Sequence, residues 1–241
     1  MSQELKNGVY RLVTPGEYLA AGKYRMGKGI YRQKSGNEYN YYATLTGLAK
    51  KKGDFLSVVA LQGGYFPNEG DTVIGKITGV GVTSWIVDIR SYYPGVLSVN
   101  SVSDRPFDPM REDLKRILGL GDLIMARIVT FDRTRDPVLT MRGRGLKKLW
   151  NGRLVEIPPV KIARILGKRG SMISLIKKET KSQIFLGMNG RALISSPSLE
   201  HELLVLKVID KIVKEAHISG LTNRVQQFLK EEMSRLETEK V

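Results

Sequence analysis

The chain has no cysteine, and this absence removes several classes of function at once. Disulfide bonds, cysteine-ligated zinc, iron–sulfur clusters and thiol nucleophiles all need the missing side chain. The N-terminus also lacks the pattern of a signal peptide, and no apolar run approaches the roughly 20 residues of a membrane helix. We therefore expect a soluble cytoplasmic protein.

Residues with catalytic chemistry are equally scarce. The two histidines, His201 and His217, fall in one predicted helix, and the acidic residues are scattered among basic ones. The segment GKYRMGKG at 22–29 has Walker A spacing, but Gly29 stands where Ser or Thr would hold the metal. The sequence therefore predicts a binding protein with no catalytic residues, no metal and no cofactor.

Positive charge is what the chain has in excess. It holds 39 Lys and Arg against 24 Asp and Glu, a formal net charge of +15. An excess of this size predicts an anionic partner, nucleic acid before an acidic membrane. The alternative is a surface that only keeps the protein in solution, but the basic residues cluster near glycines and aromatic residues, which favours nucleic acid.

Residues 1–66 have the pattern of a small all-β N-terminal domain. This part is rich in glycine and tyrosine, with alternating segments such as YNYYATLTG and FLSVVAL. Alternation with a period of two residues, bounded by glycines, is typical of short strands joined by tight turns.

Residues 67–148 predict a second β domain. The segments GDTVIGKITGV, SWIVDIR, GVLSVN, GDLIMARIVTFD and PVLTMRG have the pattern of five strands. A short helix is predicted before the fourth strand, capped by Asp108, with Pro109 at its first position and Gly119 at its end. Five short strands with such an insert indicate a small closed barrel of the OB type.

Residues 149–218 change to a β-α-α-β-β-α order, and residues 219–241 follow as a C-terminal helix or tail. Strands are expected on both sides of a turn at 188–190, and Ser198 is a candidate N-cap of a long amphipathic helix. The predicted fold class is therefore a multidomain α+β protein with an all-β domain, a barrel and an α/β domain.

The segment ILGKRGSMI, at 165–173 between two predicted helices, resembles the GxxG signature of KH domains, whose loop clamps single-stranded RNA. Glycines let the backbone approach phosphates, and the start of the following helix offers free N–H groups. Residues 161–181 contain seven basic residues and one acidic residue. A KH-like scaffold that contacts only protein is the alternative. The predicted RNA-binding residues of this domain are Lys161, Arg164, Gly167, Lys168, Arg169 and Gly170.

The second domain resembles the S1-type RNA-binding OB fold in its segments GDTVIGKITGV and GDLIMARIV. Ser98 departs from this family, since many members carry histidine there. Aromatic residues would stack on bases and basic residues would contact the RNA backbone. Trp85 fits a place in the core equally well. The candidates are Trp85, Tyr92 and Tyr93 for stacking, Lys76, Arg90, Arg133 and Arg135 for the backbone, and Arg142 and Arg144 in a basic run at the domain junction.

The three domains in this order resemble the RNA-binding cap subunits of the archaeal exosome. The resemblance covers roughly residues 9 to 220 and is carried by TPGEYLAAGKYRMGKGIY, GGYFPNEGDTVIGKI, WIVDIRSYYPGVL and ILGKRGSMI. It implies a non-catalytic subunit that binds single-stranded RNA, favours A-rich tails and delivers the 3′ end to a phosphorolytic 3′–5′ exoribonuclease ring of RNase PH-type subunits.

The same resemblance implies how the subunit assembles. Three cap copies would sit on the ring, as a homotrimer or mixed with the zinc-containing cap protein, with the N-terminal domain docking through the segment VTPGEYLAAG. The alternative is a stand-alone RNA-binding factor associated with translation or with ribosomes.

Overall fold

In a computed structural model of the chain, the described residues are 5, 7–8, 10–61, 63–102, 113–216 and 220–238, with side chains described up to 235. They divide into two compact units, Met1–Gly63 and Gly64–Val241. The first unit is all-β, and the second holds a closed five-stranded barrel followed by an α/β part. This architecture confirms the predicted fold class, while the domain limits at 66/67, 148/149 and 218/219 stay predictions.

Two small sheets form the described part of the first unit, in the strand orders β1-β6-β7-β3 and β2-β5-β4. Side chains from both sheets meet in one core, where Leu19, Tyr41 and Leu56 are almost fully buried. The alternation of FLSVVA in β7 explains this burial, because Leu56 and Val58 face the core while Phe55 and Val59 are exposed. The strands are β1 (Tyr10–Val13), β2 (Tyr18–Gly22), β3 (Arg25–Met26), β4 (Ile30–Ser35), β5 (Glu38–Ala43), β6 (Gly47–Lys52) and β7 (Phe55–Ala60).

The barrel closes through the strand order β12-β10-β9-β8-β11, because β11 also pairs with β12. The β10–β12 pair is parallel and the other pairs are antiparallel. A further strand, β13, adds to the outer edge of β11. The strands are β8 (Thr72–Val80), β9 (Ser84–Asp88), β10 (Gly95–Ser98), β11 (Leu123–Thr130), β12 (Val138–Thr140) and β13 (Lys147–Leu149).

A short helix, α1 (Leu114–Ile117), precedes β11. Its N-cap is Asp113, whose carboxylate accepts a hydrogen bond from the backbone N–H of Lys115 at 2.9 Å. The predicted cap Asp108 and first helical residue Pro109 lie outside the described residues.

The α/β part has the predicted β-α-α-β-β-α order and ends in one more helix. Its antiparallel sheet has the order β14-β16-β15. Ser198 caps α4 as predicted, accepting from the N–H of His201. Among the described helices, none combines the length and the apolar character needed to cross a bilayer. The elements are β14 (Arg153–Glu156), α2 (Ile162–Leu166), α3 (Ser171–Thr180), β15 (Gln183–Leu186), β16 (Arg191–Ser195), α4 (Leu199–Lys214) and α5 (Leu221–Thr238).

Candidate nucleic-acid interface

Four residues, Gly-Lys-Arg-Gly, form the whole connection between α2 and α3. Gly167 has φ 74° and ψ 176°, a conformation that is essentially restricted to glycine. Gly170 and Arg169 are left-handed, with φ 80° and φ 54°. We call residues 167–170 the GKRG loop, and its shape depends on the backbone freedom of its two glycines.

The GKRG loop places exposed positive charge directly before the start of α3. Lys168 and Arg169 are exposed, and neither forms an ion pair within the part of the chain that the structure describes. The ten-residue helix α3 begins directly after the loop, and its N-cap Gly170 has no side chain to accept from the first N–H groups. The N–H of Ser171 donates to the carbonyl of Lys168, but no side chain caps the N–H groups that follow, so these groups and the positive end of the helix dipole can receive an anion.

The other two predicted residues of this domain lie on the approach to the GKRG loop. Lys161 is half-buried at the start of α2, and Arg164 is exposed near the end of that helix. The structure thus brings all six predicted residues onto one helix–loop–helix segment.

Alanine at the two loop glycines is expected to have unequal effects. A Cβ on Gly167 would lie 2.7 Å from both Cβ and N of Met172, whereas one on Gly170 would meet nothing closer than 3.9 Å. We expect Gly167→Ala to lower the free energy of unfolding by about 3 kcal/mol, from strain and overlap together. Gly170→Ala should lower it by about 1 kcal/mol, from strain alone. Urea unfolding followed by circular dichroism measures both, and equal losses would contradict the described loop geometry.

Trp85 is not a stacking platform, and this prediction is wrong. The side chain is 0% exposed, and its indole N–H donates to the carbonyl of Leu118 at 2.9 Å. Its β9 position pairs with Leu97 on β10, so that both side chains fill the inside of the barrel. The alternative place in the core is the correct one.

Arg90 is also occupied within the protein. Its Nη1 donates to the carbonyls of Ile157 at 2.9 Å and Gly190 at 3.0 Å, and its Nη2 lies 3.5 Å from Glu156 Oε2. The contact of this residue with the RNA backbone stays a prediction, because its side chain is still partly exposed. Its guanidinium joins the barrel to the α/β part.

Tyr93 belongs to an aromatic cluster at one end of the barrel. Its ring centroid lies 6.2 Å from that of Phe66 and 4.9 Å from that of Phe131, both edge to face. The guanidinium carbon of Arg133 lies 5.0 Å from the Phe66 centroid, so this predicted cation packs on an aromatic face. Tyr92 is 90% exposed and stays a candidate for stacking. The sequence makes no prediction for Phe66 or Phe131, although Phe131 directly follows β11.

The remaining predicted cations of the barrel are all exposed: Lys76, Arg135, Arg142 and Arg144.

The Asp132 carboxylate accepts from the backbone N–H groups of Thr134 and Arg135, and its pKa is lowered chiefly by hydrogen bonds from Thr134. Asp132 therefore stabilises a turn. Across the described ranges, no three His, Asp or Glu side chains gather as metal ligands would.

A buried asparagine fixes the barrel to the α/β part. Asn189 is 0% exposed, and its Oδ1 accepts from the N–H of Ile74 at 3.2 Å. Its Nδ2 donates to the carbonyls of Ile74 at 2.8 Å and Ile89 at 2.9 Å. The predicted turn at 188–190 is correct, but the sequence gives no sign that this amide pairs with Ile74 of β8 and with Ile89, directly after β9.

A buried arginine adds an ion pair to the same junction. Arg191 Nη2 lies 2.5 Å from Asp88 Oδ2, and its Nη1 donates to the Asp88 carbonyl at 2.6 Å. Burial alone raises the pKa of Asp88, but the hydrogen bonds from Arg191 and from the Arg90 N–H, with the nearby positive charges, outweigh it and lower the pKa. Asp88 therefore stays ionised at neutral pH, and the junction keeps its charge pair.

Comparison with known proteins agrees with the resemblance predicted from sequence. Residues 11–62 match a family model described as the exosome RNA binding protein RRP4 N-terminal domain. The chain is 40% identical over 223 residues to the exosome complex component Rrp4 of Sulfurisphaera tokodaii, covering 92% of this chain and 89% of that protein.

Other relatives extend the match. The Rrp4 components of Thermofilum pendens and Pyrococcus furiosus are 39% and 38% identical, covering 92% and 93% of this chain and 94% and 84% of those proteins. The crystal structure of an exosome complex RNA-binding protein is 41% identical with a TM-score of 0.64, covering 71% of this chain and 98% of that one. With identity of this level over nearly its whole length, the chain belongs to the Rrp4 family of archaeal exosome components.

Proposed function

We propose that the chain is a non-catalytic cap subunit of an exosome that binds single-stranded RNA. The observation that carries the proposal is the GKRG loop, where exposed Lys168 and Arg169 stand beside the uncapped start of α3. That arrangement suits a phosphate backbone, because exposed positive charge and a helix N-terminus are neighbours along the chain. The relatives' names, which identify exosome components and an RNA-binding exosome protein, support it.

The barrel supplies the second set of RNA contacts in this proposal. Tyr92 offers an exposed ring for base stacking, while Lys76, Arg135, Arg142 and Arg144 line the RNA path as countercharges. A-rich 3′ tails, whose purines stack well, would be held by these contacts. The 3′ end then passes to the phosphorolytic ring of RNase PH-type subunits, which cuts the RNA. The cap raises the affinity of the complex for RNA and takes no part in the chemistry.

The first unit docks on the ring in this proposal. Within the segment VTPGEYLAAG, Leu19 and Ala20 are buried, so docking falls to the exposed turn at Thr14, Pro15 and Gly16. Three copies would cap one ring, as a homotrimer or together with the zinc-containing cap protein.

Co-purification tests the proposal. We expect the tagged chain to bring RNase PH-type subunits down from native lysate in one complex, identified by mass spectrometry and size-exclusion chromatography. The complex should bind an oligoadenylate more tightly than the ring alone. A chain that stays monomeric, or that sediments with ribosomes and without ring subunits, would instead favour the stand-alone translation factor.

A further inference from the structure

The connection between the barrel and the α/β part carries the most exposed tryptophan of the described chain. Trp150 is 67% exposed, whereas the second tryptophan, Trp85, is fully buried. Exposing so large an aromatic surface to water is unfavourable, and exposed aromatic rings in basic surroundings are typical of sites that stack nucleic-acid bases. The surroundings of Trp150 have this character.

Lys148 packs against the Trp150 ring. Its Nζ lies 4.3 Å from the centre of the indole, and the same ammonium pairs with the Asp122 carboxylate. The ion pair holds the lysine in place, so one face of the indole rests on a fixed cation. The large exposed fraction of Trp150 shows that the ring still presents surface to solvent.

The backbone holds Trp150 in position as well. Residues 150–152 join β13, which pairs with β11, to β14, which pairs with β16. Asn151 has a left-handed φ of 43°, and a Cβ on Gly152 would lie 2.7 Å from the carbonyl oxygen of Ile194. A ring on such a short, anchored connection loses little freedom when a ligand stacks on it, which favours binding.

The local charge favours RNA over a protein partner. Residues 142–153 contain five basic residues and no acidic one, namely Arg142, Arg144, Lys147, Lys148 and Arg153; of these, Lys148 pairs with Asp122 and Arg153 with Glu202. Alternation of basic residues with an exposed aromatic ring is the pattern of single-strand binding sites, in which the ring takes a base and the cations take the phosphates on either side.

We infer that Trp150, backed by Lys148, is a base-stacking site for single-stranded RNA at the junction of the barrel and the α/β part. The inference rests on the proposed RNA-binding function and adds to it a contact outside both the GKRG loop and the aromatic cluster. It also assigns a role to the basic run: residues 142, 144, 147 and 148 would contact the phosphates of the RNA next to the indole of Trp150.

Tryptophan fluorescence of the full chain tests this site directly, since Trp150 is the exposed emitter and Trp85 the buried one. We expect a single-stranded oligoadenylate to quench the solvent-exposed, red-shifted part of the emission and to leave the Trp85 emission unchanged. Trp150→Phe should remove the quenchable part, and the retained Trp85 emission reports that the variant is folded.

Affinity of the same oligoadenylate, followed by fluorescence anisotropy of a labelled strand, gives the second readout. Trp150→Ala should bind about fivefold to 150-fold more weakly, because stacking on one base has this range of effect. Trp150→Phe should fall between that variant and the wild type. Since no charge is removed, the dependence of affinity on salt should stay the same. Leu199→Ala, which removes an apolar side chain that is 66% exposed on α4, is the matched control and should bind normally.

The possible results distinguish a failure of the Trp150 stacking site from a failure of the proposed RNA-binding function. RNA binding with unquenched Trp150 emission and a normal Trp150→Ala affinity would overturn the stacking site and leave the proposed function standing. A Trp150 emission that changes on addition of ring subunits but not of RNA would identify a protein contact and would also overturn it. A wild-type chain that binds no RNA at all would remove the proposed function, and the inference with it.

Discussion

Replacing Lys168 and Arg169 together by aspartate should weaken the binding of single-stranded RNA by about tenfold or more at low salt. Both side chains are exposed on the GKRG loop, and reversing their charge turns an anion site into a repulsive one. The loss should shrink as salt rises, because each phosphate contact contributes about 0.7 to the slope of log affinity against log salt for a single strand. With two contacts removed, the slope should be shallower by about 1.4. Anisotropy titrations at several salt concentrations measure both quantities.

A matched control separates this site from the effect of total charge. Lys34 and Lys52 are exposed on strands β4 and β6 of the first unit, and replacing both by aspartate makes the same change in net charge. That variant should bind RNA nearly as well as the wild type. Equal losses in the two variants would show that the chain attracts RNA through its overall charge, and the GKRG loop would then have no particular role.

Replacing Asn189 by alanine should lower the melting temperature of the second unit by roughly 6–12 °C. The substitution leaves the N–H and carbonyl of Ile74 and the carbonyl of Ile89 without their partner in a buried position. An unpaired buried group costs about 1–3 kcal/mol, so a total of about 3 kcal/mol is a conservative expectation. Differential scanning calorimetry gives the shift.

Asn223→Ala is the control for the asparagine substitution. Asn223 is exposed on α5, where alanine is the better helix former, so the melting temperature of the Asn223→Ala variant should not fall. A shift of less than about 2 °C for Asn189→Ala would mean that the amide does not hold the barrel to the α/β part, since such a shift corresponds to at most about 1 kcal/mol, well below the cost of three unpaired groups.

Much of the fold follows from patterns that are local in sequence. The sequence predicts β7 from its alternation and α4 from its helical spacing and its Ser198 cap. It also predicts the order of strands and helices after residue 149, because each of these elements depends on its own residues. The family resemblance rests on the same local segments, and it is confirmed.

The sequence does not reveal structural roles that are decided by distant parts of the chain. Trp85 and Arg90 have the right chemistry for RNA, but the first fills the barrel core and the second binds carbonyls 67 and 100 positions further along the chain. The spacing of apolar residues along the sequence gives no information on such long-range contacts. Asn189 is hidden for the same reason, because asparagine before glycine is also the usual signature of a tight turn.

The candidate site divides in the same way. The GKRG loop could be located from sequence, since glycines, cations and the following helix are neighbours along the chain. The sequence does not distinguish Trp150 as a site, although it adjoins the basic run at 142–148, because exposure is a property of the folded surface. Trp150 is exposed and Trp85 is buried, a difference that amino-acid composition does not show.

The contacts of Asn189, Arg90 and Arg191 join the barrel to the α/β part, so that in the proposed function the second unit would discriminate RNA strands by length. With the barrel and the α/β part locked together, the GKRG loop and the barrel contacts stand at a constant separation. A strand long enough to span them engages the second contact at a high effective concentration, whereas a shorter strand gains only one contact. Affinity should then rise abruptly at one oligonucleotide length, which gives the subunit a means of distinguishing extended tails from short degradation products.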